Sequence, residues 1–181
     1  MAAVISEGPY EHLRRLHERG HAAQRDLPAQ AETREEWSGV GFRIGGSHYL
    51  AAMGEVTEIL SVPELARIPH TRGWVRGMAN VRGNLLPVMD LAGYLGKGEI
   101  AINSQARVLV IDQEGLVAGL LVEEVLGMRR FYQDDWRRAE RGGDEAAYPY
   151  VAGVFRHDSG LWPVFSMVAL ARDPAFFKVS E

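Results

Sequence analysis

The residues with the loudest chemical signature are His17-Glu18-Arg19-Gly20-His21. On a helix, histidines four apart share one face. With Glu18 as base and Glu35 as a third ligand, they could hold zinc and activate its water. The intervening residues oppose this: Arg19 is charged, and Gly20 costs about 1 kcal/mol against Ala inside a helix. Only 16 residues precede the motif, so no sheet can flank it on that side. Solvated helix-face histidines, with no bound metal or cofactor, are expected. His12, His48, His70 and His157 have no ligand spacing. Glu123-Glu124 is a carboxylate pair, but neighbours on a strand point to opposite faces, which disfavours acid–base work. The chain has no G-x-S-x-G elbow, P-loop or G-x-G-x-x-G. It has no Cys, hence no thiolate site or disulfide framework. The expectation is a protein that is not an enzyme.

Two other stretches could bind rather than react. Arg129-Arg130-Phe131-Tyr132 and Trp136-Arg137-Arg138 interleave cations with rings, as a single-strand stacking platform would. Asp134, Asp135 and Glu140 interrupt them, and 20 basic against 24 acidic side chains give a net charge of −4. That balance disfavours phosphate-backbone binding. The second stretch runs from Gly77 to Leu91. Its glycines suit tight turns. Arg82 lies beside Gly83, where its guanidinium reaches solvent or a partner's carboxylate, or pairs internally with Glu58. These readings are compatible, since a held arginine can still shape a docking groove.

The elements that must position these residues are mostly short strands. Residues 1–36 stand apart as a helical arm, poor in β-branched side chains, in which Tyr10, Leu13 and Leu16 form a narrow stripe. From Val40 onward, strands are predicted at 40–45, 47–52, 55–60, 75–82, 84–90, 106–112, 116–122, 150–156 and 161–165. Residues 129–149 read as a long charged surface loop, and 173–181 as a C-terminal tail. No apolar run approaches the roughly 18 residues of a membrane span, and a cytoplasmic protein without membrane insertion is expected.

Laid on itself, the chain repeats. Trp74-Val75-Arg76-Gly77-Met78 matches Tyr150-Val151-Ala152-Gly153-Val154, and Leu86-Pro87-Val88-Met89-Asp90 matches Trp162-Pro163-Val164-Phe165-Ser166, both at an offset of 76 residues. In each half a Pro ends or edges a strand. Asp90 and Ser166 then stand as N-caps before short helices at 91–95 and 167–171. The repeat predicts an all-β fold with short helices: two similar five-stranded barrels that trade strands, within a domain at 37–172 whose half-repeats span about 40–96 and 106–172.

At these residues the chain resembles the CheW family of chemotaxis coupling proteins. Residues 77–91 fit that family's G-x-x-N-L-R-G-x-x-x-P-V-x-D-L core with Val81 for Leu. Phe42-x-Ile44, Tyr49 and Val56-Thr57-Glu58-Ile59 sit where it has its first hairpin and following strand. Gly119 to Gly127 is similar to its second hairpin and V-D-E-V-L-G run, with Glu123 for Asp, and Ser166 stands where Asp is common. The N-terminal arm and Trp37–Phe42 are similar to PilI-type adaptors of type IV pilus (twitching) chemosensory systems.

The resemblance implies two intertwined SH3/OB-like barrels and a non-enzymatic adaptor. Its partners would be the cytoplasmic tip of a chemoreceptor and a CheA-type histidine kinase, through the kinase's own CheW-like domain, at receptor arrays on the inner membrane. The positions it marks for partner binding are Val56, Glu58, Ile59, Asn80, Arg82 and Gly83. The alternatives are a scaffold of a flagellar or other two-component pathway, and a small-barrel nucleic-acid-binding protein.

Overall fold

The computed structural model describes residues 34–140, 144–157 and 160–180. The chain divides after Arg34, and the unit described here is Glu35–Glu181. The arm readings, the His17–His21 motif among them, lie outside the described residues.

Eleven strands are seen among the described residues. They are β1 (Glu36–Ile44), β2 (Ser47–Ala52), β3 (Glu58–Ser61), β4 (Val75–Val81), β5 (Asn84–Asp90), β6 (Arg107–Gln113), β7 (Leu116–Val122), β8 (Glu124–Tyr132), β9 (Trp136–Arg138), β10 (Val151–His157) and β11 (Gly160–Phe165). Three short helices join them: α1 (Leu91–Tyr94), α2 (Met167–Ala171) and α3 (Pro174–Phe177). The strands form two curled sheets, β8-β1-β2-β11-β10-β9 and β3-β6-β7-β5-β4, consistent with two SH3-like subdomains.

The predicted exchange is visible in the pairing. The β1–β2 hairpin comes from the first half of the chain, yet β2 runs parallel to β11 of the second, at Leu50↔Val164. In return β7 of the second half runs parallel to β5 of the first, with Val88 facing Gly119. Each sheet therefore depends on both halves of the sequence.

The repeat extends to backbone irregularities. Register slips between Val75 and Gly77 in the β4–β5 hairpin, and between Val151 and Gly153 in β10–β11. These positions are 76 apart, and each bulge re-aims its strand. A Cβ on Gly77 would lie 2.4 Å from the Ala66 carbonyl, and one on Gly153 would lie 2.1 Å from the Trp136 ring. Both glycines are required by close approach.

The prolines fall differently from the expectation. Pro87 and Pro163 lie inside β5 and β11, which are interior strands, not at strand ends or sheet edges. Pro87 faces Met78, whose own N–H and carbonyl bond to Ala66, and pairing with β7 begins only at Val88. The ladder therefore asks nothing of the missing N–H.

The main core lies where the two sheets meet. Phe42, Tyr49 and Phe165 cluster there with ring centroids 6.0–6.3 Å apart, beside Val88, Leu109, Leu120 and Leu121. A second core fills the curl of the six-stranded sheet: Leu50, Phe131, Phe155, Trp162 and Val164, with Trp37 and Trp136 against them. Each such side chain contributes about 1.5–3 kcal/mol by burial.

Two segments differ from the sequence reading. Residues 129–149 are not simply a loop, because β8 continues through Arg129 and Arg130 to Tyr132, pairs along β1 from Glu36 to Arg43, and is followed by β9. Phe131 supplies the reason, packing inward on Trp37 and Phe155. The described part of the tail, residues 173–180, is also built in. Phe176 is fully buried and stacks on Trp74 at 5.7 Å, and Ser180 bridges to Thr71.

Candidate functional site

The β4–β5 hairpin turns on Arg82 and Gly83, both with positive φ (53° and 86°), the signature of a two-residue hairpin turn whose twist matches its strands. Glycine takes this conformation freely, whereas arginine adopts it only where the surroundings hold it. Asn80 does part of the holding: its Oδ1 accepts from the Gly83 N–H at 2.9 Å. The turn lifts Arg82 clear of the sheet, with 76% of its side chain exposed.

Its guanidinium donates to Glu58 Oε1 at 2.5 Å. Glu58 opens β3, the edge strand beside β6. An exposed pair of this kind stabilises a fold by about 0–1 kcal/mol, so it does little for stability. What it does is fix a carboxylate and a guanidinium together at a sheet rim. Beside them runs a shallow groove lined by Val81, Leu85, Leu86, Val110 and Val117. Leu85 is 73% exposed and Val117 50%, large apolar groups that a solvated surface does not require.

The six positions marked from the sequence separate by geometry. Glu58 and Arg82 meet directly. Asn80 and Gly83 form the turn that presents Arg82. Val56 is half-buried against the main core. Ile59 is exposed but follows Glu58 on the strand, and so points to the opposite face. The apolar floor beside the ion pair is therefore built from Leu85, Leu86, Val110 and Val117, not from Val56 and Ile59. The missed signal lies in Leu85-Leu86: alternation after a turn at Arg82-Gly83 must expose one and bury the other.

The remaining polar clusters hold structure. Tyr150 donates its hydroxyl proton to Asp173, and the Tyr94 hydroxyl lies within reach of both Tyr150 Oη at 2.9 Å and Asp173 Oδ2 at 3.0 Å; Asp173 also caps α3 by accepting from the Ala175 N–H. Burial and the Asp173 carboxylate push the Tyr150 phenol up, while the Tyr150 bond holds Asp173 below the ordinary carboxylate range. Lys97 pairs with Asp144 and donates to Tyr49 Oη, and burial lowers its pKa. Glu124 pairs with Arg43, whereas Glu123 accepts from the Gly46 N–H, so the two adjacent carboxylates serve separate elements. Among the described residues no three His, Cys, Asp or Glu side chains are grouped to hold a metal. Of the three rings in the basic–aromatic stretch, Phe131 is buried and Trp136 packs on Phe155 at 5.0 Å, so two are committed to the inner core, and Tyr132 is exposed. Among the described residues no helix is long and apolar enough to cross a membrane.

With this geometry in place, comparison with known proteins is informative. The CheW-like domain profile matches residues 38–175. The chain is 42% identical to Protein PilI of Pseudomonas aeruginosa over 172 residues, covering 95% of this chain and 96% of that one. It is 36% identical to Protein FrzA of Myxococcus xanthus over 126 residues, covering 70% and 78%. The crystal structure of the scaffolding protein TtCheW from Thermoanaerobacter tengcongensis superposes with a TM-score of 0.69 at 20% identity, covering 78% of this chain and 96% of that one, a likeness of fold. Members of this family are scaffold or adaptor proteins of chemosensory systems rather than enzymes. The chain belongs to the CheW-like domain family.

Proposed function

We propose that this chain couples a chemoreceptor to a CheA-type histidine kinase in a type IV pilus chemosensory pathway, working in the cytoplasm at receptor arrays on the inner membrane. The receptor's helical tip docks on the Glu58–Arg82 rim, with Val56, Asn80 and Gly83 holding that rim in place and Ile59 at its outer margin. The kinase's CheW-like domain docks on another face.

One observation carries this reading. An exposed guanidinium and carboxylate, 2.5 Å apart, border an apolar groove in which Leu85 and Val117 face solvent. A helical tip carrying carboxylates beside an apolar stripe complements that surface in charge and in shape. Signalling then needs no reactive group here. The adaptor shifts the kinase's population between states by the geometry it imposes. The assignment to a pilus pathway is supported by the identity to PilI along nearly the whole chain.

Bridging is the property to test. An immobilised CheW-like domain of the kinase should retain a helical-hairpin receptor-tip fragment only when this chain is added. Retention of the tip without it, or binding of neither fragment to it, contradicts the proposal.

A further inference from the structure

The two equivalent helices are capped by different means. In α1, Asp90 caps the helix with one carboxylate oxygen and holds the following loop with the other. One carboxylate oxygen accepts from the Gly93 N–H at 2.9 Å, and the other from the Ile100 N–H at 2.8 Å. At the equivalent position before α2 stands Ser166, whose hydroxyl accepts only from the Ala169 N–H, at 3.1 Å. A carboxylate nevertheless reaches the start of α2. Glu55 Oε2 accepts from the Met167 N–H at 2.6 Å. It arrives from a turn 112 residues earlier in the chain.

Glu55 is more than a substitute cap because of where its backbone leads. The next residues are Val56, Thr57 and Glu58, the last already in β3. The turn is closed by the Glu55 N–H to the Ala52 carbonyl, and Gln113 Nε2 reaches the Glu55 carbonyl at 3.4 Å. Thr57 is then fastened to the Val110 carbonyl by its N–H at 2.8 Å and its hydroxyl at 3.0 Å. The strand that carries Glu58 is thus tied through one carboxylate to the helix that ends the second repeat. The side chain is half-buried, so its bond to α2 is partly shielded from water.

We infer that Glu55 is a positioning residue: its carboxylate caps α2 across the fold and thereby fixes the β3 rim that presents Glu58 to Arg82. This rests on the reading of that rim as the receptor-docking surface. It makes tip affinity depend on a bond that touches neither Arg82 nor the groove.

The test separates capping from positioning, in the full chain. Glu55→Ala should lower the melting temperature by about 2–4 °C, the effect of one lost cap in a domain of this size. It should also weaken a helical-hairpin receptor-tip fragment by about three- to thirtyfold. Adding Ser166→Asp puts a carboxylate at the N-cap itself, a local charge for the start of α2 in place of the one lost from Glu55. The double variant should regain the melting temperature while tip affinity stays low. Amide hydrogen exchange at Thr57 should be faster in both variants. If affinity and Thr57 protection return together with the melting temperature, Glu55 is a cap alone and the inference is overturned. Thr57 protection unchanged in Glu55→Ala overturns it equally. If Thr57 exchanges faster but tip affinity responds neither to Glu55→Ala nor to Arg82→Glu, the docking assignment has failed and the positioning role stands.

Discussion

The hairpins β4–β5 and β10–β11 occupy equivalent places in the repeat, and they share a backbone while differing in what they hold. Both bulge at the same step, both send their second strand into parallel pairing with the other half's hairpin, and both end in a capped short helix. The Asp90 N–H bonds to the Trp74 carbonyl, and the Ser166 N–H to the Tyr150 carbonyl, again 76 residues on. Yet Asp90 is fully buried and binds two amides with Arg76 3.6 Å away, while Ser166 binds one and relies on Glu55. The first hairpin also carries the Arg82–Glu58 pair and the exposed Leu85. The repeated residues build the barrels. The residues that break the repeat link the barrels or face outward, and the proposed docking surface lies among them.

Substitutions can sharpen this contrast. The largest effect is expected where the C-terminal segment locks onto the first repeat. Phe176→Ala removes a fully buried ring stacked on Trp74 and should cost about 3–5 kcal/mol in urea unfolding. Next come the two caps. Asp90→Ala strands the Gly93 and Ile100 amides and removes the buried charge beside Arg76, an expected loss of about 2–4 kcal/mol. Ser166→Ala should cost only about 1 kcal/mol, because Glu55 still holds the first amide of α2. Equal losses from the two caps would show that the helices are equivalent after all.

The smallest effects are electrostatic and opposite in sign. Asp173 is held below its ordinary value of 3.8, chiefly by the Tyr150 hydroxyl, so its stabilisation is present above that value and is lost as pH falls through the lowered pKa. Glu55 is pushed above its ordinary 4.5, chiefly by burial. The stability linked to its protonation is therefore full below 4.5 and is lost as pH rises through the raised pKa. Melts across the acid range should accordingly show a shallower acid limb in Asp173→Asn and a weaker decline above pH 4.5 in Glu55→Gln. Identical pH profiles for either variant and the native chain would contradict the corresponding role.

Much of the scaffold was legible because its signals are local. Gly45-Gly46, Arg82-Gly83 and Glu114-Gly115 all mark hairpin turns whose residues carry positive φ, and Asp90 and Ser166 cap the helices as their types predict. β8 was hidden because Glu124–Tyr132 lacks alternation: Gly127 through Arg130 are all exposed, and only pairing with β1, more than 80 residues earlier, makes this run a strand. The inner aromatic core was hidden for the same reason, since Trp37, Phe131 and Phe155 meet only after β1 and β8 pair. At the candidate site, the meeting of Glu58 with Arg82 could be anticipated as one of two readings. The groove floor could not, because Val110 and Val117 come from the exchanged hairpin. The bond from Glu55 to α2 has no local signature at all.

The most direct test of the docking claim is Arg82→Glu, titrated against a receptor-tip fragment and against the kinase's CheW-like domain, with a melt on the same sample. Arg82 is exposed and its ion pair contributes little to the fold, so the melting temperature should stay within about 2–3 °C of the native value. Tip affinity should fall several-fold to about a hundredfold, corresponding to about 1–3 kcal/mol at a partly desolvated charge, and kinase affinity should hold. Unchanged tip affinity in a well-folded variant contradicts the account. A lowered melting temperature with both partners weakened together contradicts it too, and would make Arg82 a strut rather than a contact.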